Sequence, residues 1–176
     1  MPSGKIHDAF TFLSTIPVFL ISWMLAGSVS GSVITIGFIL GGLVFGPDLD
    51  TASRQYNRWG FLRFLWFPYN RFFSHRSRWS HGLIFGTLFR VIYFAGVTTI
   101  FSFVLTFALS VYFGSKLPDF TEFIETWNGL ARFVKSNLGD YAILYTFLGL
   151  WLGAASHTIT DIAGSYIKTG RSKGLF

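Results

Sequence analysis

Residues 9–47 read AFTFLSTIPVFLISWMLAGSVSGSVITIGFILGGLVFGP, and not one of them is Asp, Glu, Lys or Arg. A helix that crosses a bilayer needs about 20 mainly apolar residues. This run is close to twice that length and carries small turn-forming residues at its middle, Gly27-Ser28-Val29-Ser30-Gly31. It therefore reads as two spans joined by a tight turn. Two further runs, Val91 to Ser115 and Tyr141 to Thr160, are also free of Asp, Glu, Lys and Arg, and each has the length of one span.

The bulk composition agrees. Of the 176 residues 51% are hydrophobic and only 12% are charged, against about a quarter charged in an ordinary soluble domain. A soluble helical core seldom goes three times without a charge over such lengths. The N-terminus is expected to stay attached, because the pattern of a cleavable signal is absent and cleavage would discard His7 and Asp8. There is no cysteine, which excludes disulfides and thiolate-bound metal. The chain length suits one domain, residues 1–176, with a single helical core.

Four helices near 10–27, 31–47, 83–114 and 141–163 put both termini on one side. That side also holds the 48–82 loop, and with it Lys5, Arg54, Arg58, Arg63, Arg71, Arg76, Arg78, Arg90, Lys168, Arg171 and Lys173. The far side has Lys116, Arg132 and Lys135. An excess of eleven to three makes the termini cytoplasmic by the positive-inside rule. The expected fold is all-α and integral to the membrane: a four-helix up-down transmembrane bundle with interfacial amphipathic segments. A basic face of this kind attracts anionic headgroups, so membrane lipids are the expected partners. No nucleic-acid motif accompanies it, and nucleic acid is excluded as a partner.

Between the spans, residues 51–80 mix Arg with aromatics such as Trp59, Phe64, Trp66 and Tyr69, a composition suited to the headgroup level. Pro68 is expected to break any helix there. On the far side, Phe120, Phe123, Ile124, Trp127, Leu130, Val134 and Leu138 recur at helical spacing among charges, the mark of an amphipathic interfacial helix. Gly37 and Gly41, Gly42 and Gly46, and Gly149 and Gly153 recur at four-residue spacing, which lets helix backbones approach closely in a bilayer. Spans two and four should pack tightly.

All four histidines stand near acids or each other at the ends of these spans: His7-Asp8, Asp48-Leu49-Asp50, His75 with His81, and His157 with Asp161. An up-down bundle gathers the four clusters at the cytoplasmic end. Imidazole and carboxylate donors suit a hard or borderline divalent ion. The candidate ligands are His7, Asp48, Asp50, His75, His81, His157 and Asp161. Zinc is the first choice, manganese and iron accept the same donors, and the set is large enough for one or two ions. His157 and Asp161 at i and i+4 share one helix face. An extended Asp48-x-Asp50 after Gly46-Pro47 would send both carboxylates to the same side. His75 would lie in the loop and His81 on the first turn of helix three. A divalent ion lowers the pKa of a bound water to about 7, so the expected chemistry is hydrolysis, with Asp48 or Asp50 as base when free of metal. Arg54, Arg76 and Arg78 would neutralise a phosphate or other oxyanion of an amphiphilic substrate. The competing class is a non-catalytic, metal-stabilised scaffold or assembly subunit of a larger membrane complex. Metal transport fits less well, since the donors gather at one face rather than at midplane.

The ordered combination of an N-terminal His, Gly46-Pro47-Asp48-Leu49-Asp50 with Ser53, His75 through His81, and Gly153-Ala154-Ala155-Ser156-His157 through Asp161 resembles the LexA-regulated, inner-membrane metal-dependent hydrolase superfamily. It is more similar still to a branch of metal-binding membrane proteins well represented in photosynthetic bacteria. The resemblance implies metal binding, and a bacterial inner (plasma) membrane or thylakoid membrane as the location. The group's core of His-Arg-Gly and Thr-His-Ser departs here: Ser77 stands for Gly, Ser80 for Thr and Gly82 for Ser. The histidines survive, while the hydroxyl after the second of them is lost.

Overall fold

The computed structural model describes residues 3–73, 77–83, 85–114, 116–117 and 119–170. Among these every regular element is helical: α1 (Gly4–Leu43), a 3₁₀ turn (Pro47–Asp50), α2 (Arg54–Arg58), a second 3₁₀ segment (Gly60–Trp66), α3 (Phe67–Phe72), α4 (Arg78–His81), α5 (Phe85–Tyr112), α6 (Phe120–Leu138) and α7 (Ala142–Thr169). Three of them, α1, α5 and α7, are long and apolar enough to cross a membrane.

A straight helix of 40 residues would run about 60 Å, twice the hydrocarbon core. α1 is not straight. Gly27 interrupts it at φ 81°, ψ 172°, a backbone region open essentially to glycine. The chain folds back there. A Cβ on Gly31 would lie 2.8 Å from the Trp23 nitrogen, and one on Gly42 would lie 2.6 Å from Thr11 Oγ1, contacts that only a hairpin permits. Two helical arms with a glycine turn between them are thus present within one helical segment.

α7 packs along the second arm of that hairpin, backbone against backbone. A Cβ on Gly37 would fall 2.8 Å from the Thr146 carbonyl and 3.1 Å from the Gly149 Cα, and one on Gly153 would fall 2.6 Å from the Gly42 nitrogen. Each glycine removes the atom that would hold the helices apart.

α5 departs from the expected bundle. It is fastened at its start: Trp151 Nε1 of α7 donates to the Leu83 carbonyl at 2.6 Å, and Tyr93 Oη donates to the Leu65 carbonyl at 2.6 Å. Beyond Arg90 none of its described residues is buried. Its packing is mainly on α4 and the 60–66 segment rather than along α1 and α7.

The loop after α1 is a folded unit. Phe45, Leu49, Trp66 and Tyr69 form its buried core, against which Trp59, Tyr93, Phe94 and Leu150 pack. The Trp66 and Phe94 rings stack at 5.6 Å, so this unit is what anchors α5. Pro68 does not break a helix here. It stands in the first turn of α3, where its missing N–H costs nothing. α6 forms as the amphipathic pattern requires, with Asp119 accepting from the Thr121 N–H at its start, and none of its residues is buried.

Candidate metal centre

Two helices and one turn meet beside the first turn of α1. His7 lies on the inner face of α1, with Thr11 Oγ1 donating to its carbonyl at 3.0 Å. Gly46-Pro47 ends the hairpin's second arm and starts the tight turn that carries Asp48. The close glycine seam sets α7 so that His157 and Asp161 face both.

The donors converge. His7 Nε2 is 3.2 Å from Asp161 Oδ1, and His157 Nε2 is 3.3 Å from Asp48 Oδ2 and 3.8 Å from Asp161 Oδ2. The two imidazoles stack with centroids 3.8 Å apart and planes 10° from parallel. Ligand atoms of His7, His157 and Asp161 all lie within 4.8 Å of one another. Two ligands of one tetrahedral ion, at bonds of about 2.1 Å, lie roughly 3.4 Å apart. The separations here bracket that value. His157 Nε2 is buried and faces carboxylates, yet it is not aligned for a hydrogen bond with any described residue. Imidazole nitrogens and carboxylate oxygens that converge on one point are the donor set a divalent ion takes. The residues present therefore fit a divalent metal with nitrogen and oxygen ligands.

Asp48 and Asp50 do not act as a parallel pair. The turn is 3₁₀ rather than extended, and at three residues per turn side chains two apart diverge by about 120°. Asp48 goes to His157. Asp50, buried, goes to the side of Tyr69 and Arg90, where its charge is felt by both. Burial holds the Tyr69 phenol above its ordinary range, against the pull of the Arg90 guanidinium. Arg90 is fully buried and donates to the Ser80 carbonyl at 2.6 Å and to Thr87 Oγ1 at 3.1 Å.

Asp8 is taken by two arginines, Arg58 at 2.7 Å and Arg54 at 3.0 Å. Arg54 thus stands at the rim of the centre with one side of its guanidinium already paired. His75 and Arg76 lie outside the described residues. His81 closes the separate short helix α4 instead of opening helix three, and the side chains of His81 and Arg78 also lie outside the described set. α7 runs two turns past Asp161, so cluster four sits within a helix and not at its end.

Gln55 is a site residue that donor counting misses. It is buried; its Oε1 accepts from the Asp48 N–H at 3.1 Å, its Nε2 donates to the Gly42 carbonyl at 2.9 Å, and the same Nε2 lies 3.2 Å from His157 Nδ1. The two backbone groups fix which end of the amide is which. Gly46 makes the room, since a Cβ there would sit against the Gln55 amide. Ser53 caps α2 by accepting from the Tyr56 N–H at 3.2 Å and donates to the Asp48 carbonyl at 2.7 Å. The available signal was Ser53, two residues ahead, in helix-capping position.

A cavity of about 190 Å³ opens on the centre, lined by Gly4, His7, Asp8, Asp48, Ser53, Arg54, Gln55 and His157. It is smaller than an ordinary ligand pocket of about 300–1,000 Å³.

A family model described as "Uncharacterized metal-binding protein (DUF2227)" matches residues 2–171. A protein of Aquifex aeolicus (strain VF5), described only as an uncharacterized protein, is 34% identical over 134 residues, which cover 76% of this chain and 90% of that one. No solved structure matches. The chain belongs to this metal-binding family.

Proposed function

We propose that this member of the metal-binding family is a multi-pass membrane hydrolase that holds zinc, or manganese or iron in its place, between His7, His157, Asp161 and Asp48. Its substrate would present a small oxyanion, such as the phosphoester group of a lipid-like amphiphile, at the cytoplasmic interface. The observation that carries the reading is the cavity beside the donor set. A structural zinc site is closed, whereas a catalytic one keeps a position open. A space of about 190 Å³ accommodates a headgroup oxyanion and little more, which leaves the rest of an amphiphile outside, in the membrane.

An ion held there supplies Lewis acidity and an activated water. The chain does the rest. Arg54, at the rim, has donors left for an oxyanion oxygen after pairing with Asp8. Asp48, anchored through its own N–H by Gln55, can accept a proton once it is not needed as a ligand. Gln55 holds the His157 ring in place by contact, its Nε2 facing Nδ1 at 3.2 Å. The four-span topology with cytoplasmic termini, and a bacterial inner or thylakoid membrane as the location, belong to the same proposal. So does the kinship with the metal-dependent hydrolases. The glycine hairpin and the eleven-to-three excess of cations support the topology, and the ordered sequence motifs support the kinship.

A scaffold role has one observation in its favour. The stacked His7 and His157 rings, with Gln55 behind them, join α1, α2 and α7, so an ion would clamp three segments. Elemental analysis of detergent-purified protein, with His157→Ala, Asp161→Ala and Arg54→Ala alongside, separates the readings. A hydrolase loses metal and turnover together in the first two variants, and keeps metal with weakened substrate binding in the third. A broad phosphoester and acyl screen that stays blank in fully metallated protein, while complex assembly collapses in the ligand variants, would establish the scaffold instead.

A further inference from the structure

We propose that the groove beside Arg63, on the 60–67 segment, is a binding site for one anionic phospholipid. The groove has a volume of about 780 Å³ and is lined by Tyr56, Gly60, Phe61, Arg63, Phe64 and Phe67. It shares no lining residue with the metal cavity, and the inference does not depend on the metal. Its volume falls within the ordinary range for ligand sites.

Charge says what kind of ligand fits. Residues 51–80 hold six arginines and no acid. Among the described residues Arg54 and Arg58 are taken by Asp8, and Arg90 by Ser80 and Thr87. No hydrogen bond or ion pair among the described residues occupies Arg63, whose five guanidinium donors form a fork matched to phosphate. Free phosphate would need only that fork. The walls ask for more: Phe61 is 86% exposed and Phe67 61%, apolar surface held open next to a cation. The Phe64 ring meets Phe101 of α5 at 5.7 Å, so the groove borders the side of α5 where Ile100 and Val104 are exposed. A cationic end that runs into an apolar track fits an anionic headgroup with acyl chains. Arg63 disfavours the cationic choline of a zwitterionic lipid by direct repulsion.

The test uses the full-length protein in mild detergent, with its metal content recorded. It is titrated with phosphatidylglycerol and with phosphatidylcholine of the same acyl chains, and bound lipid is counted by native mass spectrometry. One phosphatidylglycerol per chain is expected, at least tenfold tighter than phosphatidylcholine. Arg63→Glu should weaken it at least tenfold, while Arg132→Glu on α6 should leave it unchanged. If Arg63→Glu fails to fold, as judged by its melt and metal content, Arg63→Gln is read in its place and should still weaken binding several-fold. Equal binding of the two lipids overturns the proposal, as does retention of phosphatidylglycerol by the Arg63 variants. Displacement of the lipid by millimolar inorganic phosphate also overturns it, because the groove would then be a site for phosphate and not for a lipid.

Discussion

Replacing Gly153 by alanine tests whether the glycine seam between α1 and α7 assembles the metal centre. The new Cβ would lie 2.6 Å from the Gly42 nitrogen and 2.9 Å from the Gly41 carbonyl carbon, closer still to the Phe38 carbonyl oxygen, where ordinary contact begins near 3.4 Å. All three neighbours are backbone atoms, so no side chain can turn aside. The helices must part by at least about 0.8 Å, the shortfall at Gly42, and further to clear the Phe38 carbonyl. Overpacking of this kind costs roughly 1–3 kcal/mol, against which alanine regains at most about 1 kcal/mol of helix propensity. A net loss of about 1–2 kcal/mol should lower the melting temperature by about 2–8 °C in a chain of this size. His157 lies one turn beyond Gly153. The same displacement would therefore draw its 3.3 Å approach to Asp48 past the separation a shared ion needs, weakening metal about tenfold or more. Gly42→Ala meets the Thr11 side chain instead and should cost less. Gly96→Ala on α5 meets nothing within 4 Å and should be neutral or slightly stabilising. Circular-dichroism melts of purified protein, with metal measured on each sample, read the series. If Gly153→Ala melts with the wild type and keeps its metal, or if Gly96→Ala suffers as much, the close approach is not what builds the site.

Gln55→Glu should tighten metal binding by about tenfold, as read by competition with a chelator, because a carboxylate can accept the His157 Nδ1 proton that coordination through Nε2 requires; unchanged or weaker binding would show that Gln55 does not act through that nitrogen. Single-cysteine labelling in intact membranes should place Ser3→Cys and Arg71→Cys on one side and Asn128→Cys on α6 on the other. Labelling of Ser3→Cys and Asn128→Cys from the same side would break the four-span topology.

The long apolar helices were legible because a bilayer would impose a length and an apolarity that a chain of any fold must meet. Ala9 to Pro47 shows both in one line, and its turn glycine lies where the positive φ is found. The seam was legible for a related reason, since Gly37, Gly41, Gly149 and Gly153 carry a four-residue spacing that only close backbone contact explains. Legibility failed where geometry depends on a local hydrogen-bond choice. Nothing in Pro47-Asp48-Leu49-Asp50 separates an extended segment from a 3₁₀ turn, yet that choice sends Asp50 to Arg90 rather than to His157. The packing of α5 was illegible too, because lipid and protein interior are equally apolar and α5 carries no pair of glycines at four-residue spacing to mark a packed face.

Gln55 shows most plainly what a donor count leaves out. An amide ligates metal poorly and marks no motif, so nothing distinguishes it among the arginines and aromatics of its loop. Its role comes from three partners brought together by the fold: the Gly42 carbonyl at the end of the hairpin, the Asp48 N–H in the turn, and the His157 ring on α7. Gly46 has no side chain to occupy the amide's place. The glycine pattern that brings α7 close to the hairpin thus also clears the space in which Gln55 joins both to the turn. In this molecule the helix packing and the metal centre are set by the same absent side chains, so a change made for one should register in the other.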